Sequence, residues 1–159
     1  MNITLLCIGK LKEDYLRVAC AEYHKRLTPF ARVTILELEE HRLPRDPSAA
    51  QIEAGLCAEG EKILEKIPNG AAVVSLCIEG KPLSSEAFSE WISSTALHGV
   101  SHIVFVIGGS FGLSARVKEA SHLRLSLSQM TFPHMLARVT LCEQLYRAFQ
   151  ISIDGKYHK

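Results

Sequence analysis

No Cys-x-x-Cys pair, no His-Glu-x-x-His and no Cys/His cluster at ligand spacing occurs among the five cysteines and seven histidines. These absences argue against the common zinc and iron–sulfur frames, and no metal is expected. No apolar run approaches the ~20 residues that span a bilayer, so no membrane partner is expected. The opening MNITLLCIGK lacks a basic n-region and a small-residue cleavage site, unlike a secretory leader. Cys7, Cys20, Cys57, Cys77 and Cys142 are odd in number and set in apolar segments. They read as buried free thiols in a reducing cytoplasm, not as a disulfide framework. Linkers, repeats and low-complexity stretches are missing too, so the 159 residues read as one domain (1–159), long enough for a sizeable core.

Charge of one sign is also lacking, since the net charge is only +1. Its distribution is uneven. From Leu113 to Lys159 there are seven Lys/Arg (Arg116, Lys118, Arg124, Arg138, Arg147, Lys156, Lys159) against three acids, leaving −3 for residues 1–112. A polyanion would meet the last third, unless that basic face is simply solvated.

What is present is a regular alternation. Asn2–Ile8, Arg32–Leu38, Ala71–Cys77, His102–Ile107 and Leu123–Leu127 read as strands. Between them lie helices over Lys12–Leu27, from a Ser48 cap to Ile67, from Ser84 or Ser85 to Gly99, and over Ser114–Ala120. A closing helix has Pro133 in its first turn and runs to about Ile151. Strands joined by helix-length connections imply an α/β fold, a mostly parallel sheet with helices on both faces. Ligands in such folds sit at the carboxyl ends of strands.

One strand runs into glycines: VFVIGGSFGLS, residues 104–114. Its spacing is neither the G-x-G-x-x-G of dinucleotide folds nor a P-loop, because no Lys-Ser/Thr follows. No Lys or Arg occurs between Lys81 and Arg116. The turn therefore suits an uncharged, flat, adenosine-like group, or is a tight turn with no ligand at all. LCIEGK (76–81) leaves the third strand through a glycine, and LSQMTFPH (127–134) leaves the fifth through small polar residues. Three neighbouring strand exits would wall one pocket.

LCIEGK, VFVIGGSFGLS, LSLSQMTFPHMLARV and the ending EQLYRAFQISIDGKYHK closely resemble the ribosomal RNA large subunit methyltransferase H family, part of the SPOUT (α/β-knot) methyltransferases. The resemblance runs in order from Met1 to Lys159. It implies S-adenosylmethionine as cofactor and methylation of N3 of a pseudouridine in the helix-69 hairpin of 23S rRNA, on the ribosome. It also implies a homodimer and a C-terminal trefoil knot, which general connection rules would not suggest. Carried over by position, the cofactor contacts fall at Leu76, Gly108, Leu127, Ser128, Gln129, Met130, Thr131 and Phe132.

On the closing helix, Met135, Val139, Cys142, Tyr146 and Phe149 form one seam, widened by Leu141 and Leu145. The extra width fits a dimer partner or deep burial in one chain. Arg138 falls inside this apolar arc, so its guanidinium needs a partner, either substrate phosphate or a structural carboxylate. Glu143 and Arg147 are four apart, as in an ordinary helical ion pair, and stand as catalytic and substrate-binding candidates beside it. His134 opens the helix, in a capping, packing or chemical role. The tail ending in Tyr157-His158-Lys159 reads by itself as a flexible basic end. With the resemblance it becomes a substrate element, Tyr157 stacking on a base and His158 taking a proton. The general base is therefore sought among His158, Glu143 and His134. Two other readings stand beside the methyltransferase: a non-catalytic adenosine-ligand-binding module and a flavodoxin-like binder. The latter is disfavoured because Gly9-Lys10-Leu11-Lys12 is no phosphate-cradling loop.

Overall fold

A computed structural model describes residues 1–158. Five strands form one sheet, every neighbouring pair parallel: β1 (Asn2–Ile8), β2 (Arg32–Leu38), β3 (Ala72–Pro82), β4 (His102–Ile107) and β5 (Leu123–Ser126), in the order β2-β1-β4-β3-β5. The helices are α1 (Asp14–Leu27), α2 (Ala49–Glu65), α3 (Ser85–Leu97), α4 (Ala115–Glu119) and α5 (His134–Ser152). This is the α/β fold expected from the alternation.

Both faces of the sheet are covered, and the strands show it residue by residue. In β4, Ile103, Phe105 and Ile107 join the core under α1, α3 and α5, while Val104 and Val106 join the core under α2 and α4. Side chains alternate across a strand with period two, so a strand buried on both faces reads as a continuous apolar run. The helix starts follow from side-chain caps. Ser48 Oγ accepts from Gln51 N at 3.2 Å while Gln51 Oε1 accepts from Ser48 N at 2.9 Å, a reciprocal capping box. Ser84 and Ser114 cap α3 and α4 by a single bond each, accepting from Ala87 N and Val117 N. At the end of α3, Gly99 takes φ +84°, the left-handed conformation that ends helices at little steric cost.

Four expectations change. The third strand does not stop at Cys77 but continues to Pro82, and its partner explains why. Leu76 pairs with Leu125, the chain bulges out, and Lys81 pairs with Leu125 again. Pro133 is the residue capping α5, with ψ 136°, and not a member of its first turn. Of the cysteines, Cys7, Cys20 and Cys142 are buried, but Cys57 is exposed and Cys77 half-buried. Finally, the fully buried stripe of α5 is Arg138, Leu141, Cys142, Leu145 and Ala148. The expected seam through Met135, Val139, Tyr146 and Phe149 is its half-buried flank. Phe30 covers part of that flank, stacked on Phe149 at 5.7 Å.

Candidate active site

The carboxyl ends of β4, β3 and β5 open into a cavity of about 780 Å³. Leu76 of β3 and Gly108 after β4 line it, as do Leu127, Ser128, Met130, Thr131 and Phe132 after β5; Gln129 does not. His134, the first residue of α5, reaches the same cavity, and its Nε2 lies 3.9 Å from where a Cβ on Gly9 would stand.

The glycine turn packs on itself. A Cβ on Gly108 would lie 2.2 Å from the carbonyl oxygen of Gly112. Gly112, at φ +87°, donates its N–H to the Gly109 carbonyl at 3.1 Å. Glycine at 108 is thus required by the turn, whatever the turn holds. The bulge of β3 supplies the opposite wall. There a Cβ on Gly80 would lie 2.7 Å from the Arg124 carbonyl oxygen, so the chain passes tightly by β5 once Ile78 and Glu79 have swung out. After β5 the chain is braced locally, Ser126 Oγ donating to the Ser128 carbonyl and Met130 N–H donating to Ser128 Oγ, each at 3.0 Å.

The turn itself supplies no charge, but the cavity does hold some. Lys118 of α4 and Glu79 of the bulge are its charged lining residues, and they form an ion pair with each other. Hydrogen bonding from Lys118 holds the Glu79 carboxyl below the usual range. Sequence reasoning passed over both. Glu79 lies within LCIEGK, and Lys118 sits in the short helix that follows the glycine turn, which brings it back to the cavity.

Arg138 does not line the cavity. Its side chain is 2% exposed, and it donates to Glu37 Oε1 at 2.5 Å and to the Gly9 carbonyl at 2.9 Å. Of the two partners considered for it, the structure supplies the structural carboxylate, which ties α5 to the ends of β1 and β2. The excess of cations in the last third is largely spent in the same way. Arg116, Lys118, Arg138 and Arg147 are all ion-paired, with Glu61, Glu79, Glu37 and Glu143 respectively.

The tail is folded back, contrary to the reading of a flexible end; Lys159 lies outside the described residues. Asp154, at φ +54°, reverses the chain, and Gly155 N–H donates to the Gln150 carbonyl at 2.8 Å. Tyr157 then packs edge-on to Tyr146 at 4.8 Å, with the Arg147 guanidinium 4.8 Å above its ring. Its hydroxyl donates to Glu143 Oε1 at 3.0 Å. Burial, with Tyr23 and Glu143 beside it, raises the phenol above its ordinary range. Glu143 Oε1 also accepts from Arg147 Nη2 at 2.6 Å, the expected ion pair. His158 sits between Arg147, 3.4 Å from Nδ1, and Glu86, 2.7 Å from Nε2. Arginine only donates, so Nδ1 accepts and Nε2–H donates to the carboxylate. Glu86 is held near 2 by its own backbone N–H, the Ser84 hydroxyl and His158. Glu143, Arg147, Tyr157 and His158 thus form one cluster along α5 and at the start of α3. None of them lines the cavity of this chain.

Among the described residues, no group of three or more His, Cys, Asp or Glu is placed to hold a metal ion, and no helix is long and apolar enough to cross a membrane. The profile of a family described as "Predicted SPOUT methyltransferase" matches residues 1–158. A protein of Bifidobacterium animalis subsp. lactis is 50% identical over the full length of both chains. Proteins of Bacillus cytotoxicus and Carboxydothermus hydrogenoformans are 48% and 46% identical, again over both full lengths. All three are named "Ribosomal RNA large subunit methyltransferase H".

Proposed function

The chain belongs to the SPOUT methyltransferase family, and from that premise we propose that it is a ribosomal RNA methyltransferase using S-adenosylmethionine. The finer reading is transfer to N3 of a pseudouridine in the helix-69 hairpin of 23S rRNA, by a cytoplasmic homodimer with a knotted C-terminal third. The observation that carries it is the cavity at the three strand ends. Its volume lies in the range of small-molecule and cofactor sites. Its walls are strand ends, a glycine turn and small polar residues, which suit an adenosine better than a polyphosphate.

S-adenosylmethionine, when bound, supplies a methyl group on a cationic sulfur. The chain's part is to position and deprotonate. Backbone of the 108–112 turn and of residues 127–132 would bind the adenosine. A methylated N3 must lose its proton, and a base with a pKa near working pH would accept it best. Of His158, Glu143 and His134, only His134 lines the cavity. We assign it that proton.

The tail cluster lies elsewhere. Glu143 is nine residues beyond His134, about 14 Å along the helix axis. A second copy is what would bring Tyr157 and His158 to a cavity, as an RNA-facing element. Exposed Tyr15 and Val18 on α1, with Leu136 on α5, offer apolar surface for such a pairing. The chain's passage from β4 past β3 to β5, before α5 returns to α1 and α3, is compatible with the knot.

The test is methyl transfer from labelled cofactor to ribosomes of cells lacking their own enzyme. Expected is label in 23S rRNA, with turnover down on the order of 10²-fold in His134→Ala while cofactor affinity holds. Ligand binding without any transfer by the unaltered protein would overturn the enzyme reading in favour of a binding module.

A further inference from the structure

The Glu79–Lys118 pair has no evident task in holding the fold. It joins the looped-out part of β3 to a helix of five residues. The Lys118 side chain is 25% exposed and that of Glu79 is 56% exposed, so water screens their attraction and the pair adds little to stability. Both groups face the cavity, and among the described residues no other Lys, Arg, Asp or Glu lines it. The rest of the wall is apolar side chain, glycine backbone, small polar residues and His134. Apart from His134, the cavity therefore carries charge at one place, where a cation and an anion stand side by side.

A ligand matched to this wall has a flat, uncharged body and a zwitterionic end. Lys118 carries three N–H donors and gives one to Glu79, while the Glu79 carboxylate has acceptor capacity left over. An α-carboxylate could therefore join Lys118 and an α-ammonium could join Glu79 without either residue losing its neighbour. Hydrogen bonds between ionised groups are about twice as strong as neutral ones. Arg124 supports the arrangement from behind, its Nε–H donating to the Lys118 carbonyl at 3.0 Å.

We propose that Glu79 and Lys118 bind the amino-acid end of the cofactor, and so select a ligand carrying both charges over the same nucleoside without them. This rests on the S-adenosylmethionine reading given above. The experiment is calorimetry on the full chain with two probes, S-adenosylhomocysteine and 5′-methylthioadenosine, which share the thioether nucleoside but differ in the amino-acid end. Lys118→Met and Glu79→Gln should each weaken S-adenosylhomocysteine by about ten- to a hundredfold. Both variants should leave 5′-methylthioadenosine within about twofold, which also shows the cavity still formed. Unchanged S-adenosylhomocysteine affinity in both variants would overturn the inference. An equal loss for both probes would also overturn it, marking the pair as mere wall support. If the unaltered protein bound neither probe, the cofactor reading itself would fall and this inference with it; the two failures are therefore told apart.

Discussion

The buried ion pair between Arg138 and Glu37 makes an asymmetric prediction. The arginine side chain is 2% exposed and the glutamate 30%, so the two partners do not suffer equally when left alone. In Glu37→Leu the guanidinium stays inside with only the Gly9 carbonyl as acceptor. Breaking a buried pair from this side costs ~3–4 kcal/mol. In Arg138→Met the stranded carboxylate already touches water and the thioether chain fills most of the arginine's volume, so the loss is ~1–2 kcal/mol. With both changes nothing charged is left unpaired, and the cost falls to ~1 kcal/mol or less. Urea unfolding at one fixed protein concentration gives the three midpoints and the coupling between the sites. A Glu37→Leu variant no worse than Arg138→Met would refute the burial argument. The double variant also decides the functional question. Because it folds, it should retain methyl transfer if Arg138 only anchors α5. Loss of transfer at normal stability and cofactor affinity would return Arg138 to the substrate.

The glycine turn and the thiols give further expectations. Gly108→Ala places a Cβ 2.2 Å from the Gly112 oxygen, so it should lower the melting temperature and abolish cofactor binding together. Gly112→Ala meets nothing within 4 Å and suffers only its φ of +87°, a loss of ~1–2 kcal/mol with binding weakened less; calorimetry and thermal unfolding of both variants check the order. With a thiol reagent, the native chain should show Cys57 reacting readily, Cys77 slowly and less still when ligand fills the cavity it lines. Cys7, Cys20 and Cys142 should react only on unfolding, and burial pushes the Cys7 thiol up to about 12. Equal labelling of all five in the native protein would contradict the burial pattern.

How far the sequence could be read depends on how far apart the deciding residues lie. The bounds of β1, β2 and β4 were legible because an apolar or alternating run is a local signal, and the serine caps of α2 and α3 act within three residues. The extension of β3 was not legible. Residues 77–82 carry two charges, a glycine and a proline, and only the returning β5 makes them a strand. Arg138 was recognised as needing a partner, but Glu37 stands 101 residues away. The tail misled for the same reason, because Glu86, 72 residues before His158, is what holds it. The site was read in outline from its glycine turn and strand exits. Its two charges were missed because each looked like an ordinary surface residue.

Leu125 serves as register partner to Leu76 and to Lys81, so the bulge between them is closed at a single rung of the sheet. Lengthening such a closed excursion is cheap, since doubling a loop adds only ~0.6 kcal/mol of closure entropy. Gly80 must keep its place against Arg124, but Ile78 and Glu79 swing free of the pairing. Descendants of this chain, or a library built on it, can therefore insert or replace residues at those two positions while both flanking registers stay as they are. The wall of the cavity can drift in length and charge on a scaffold that does not move with it.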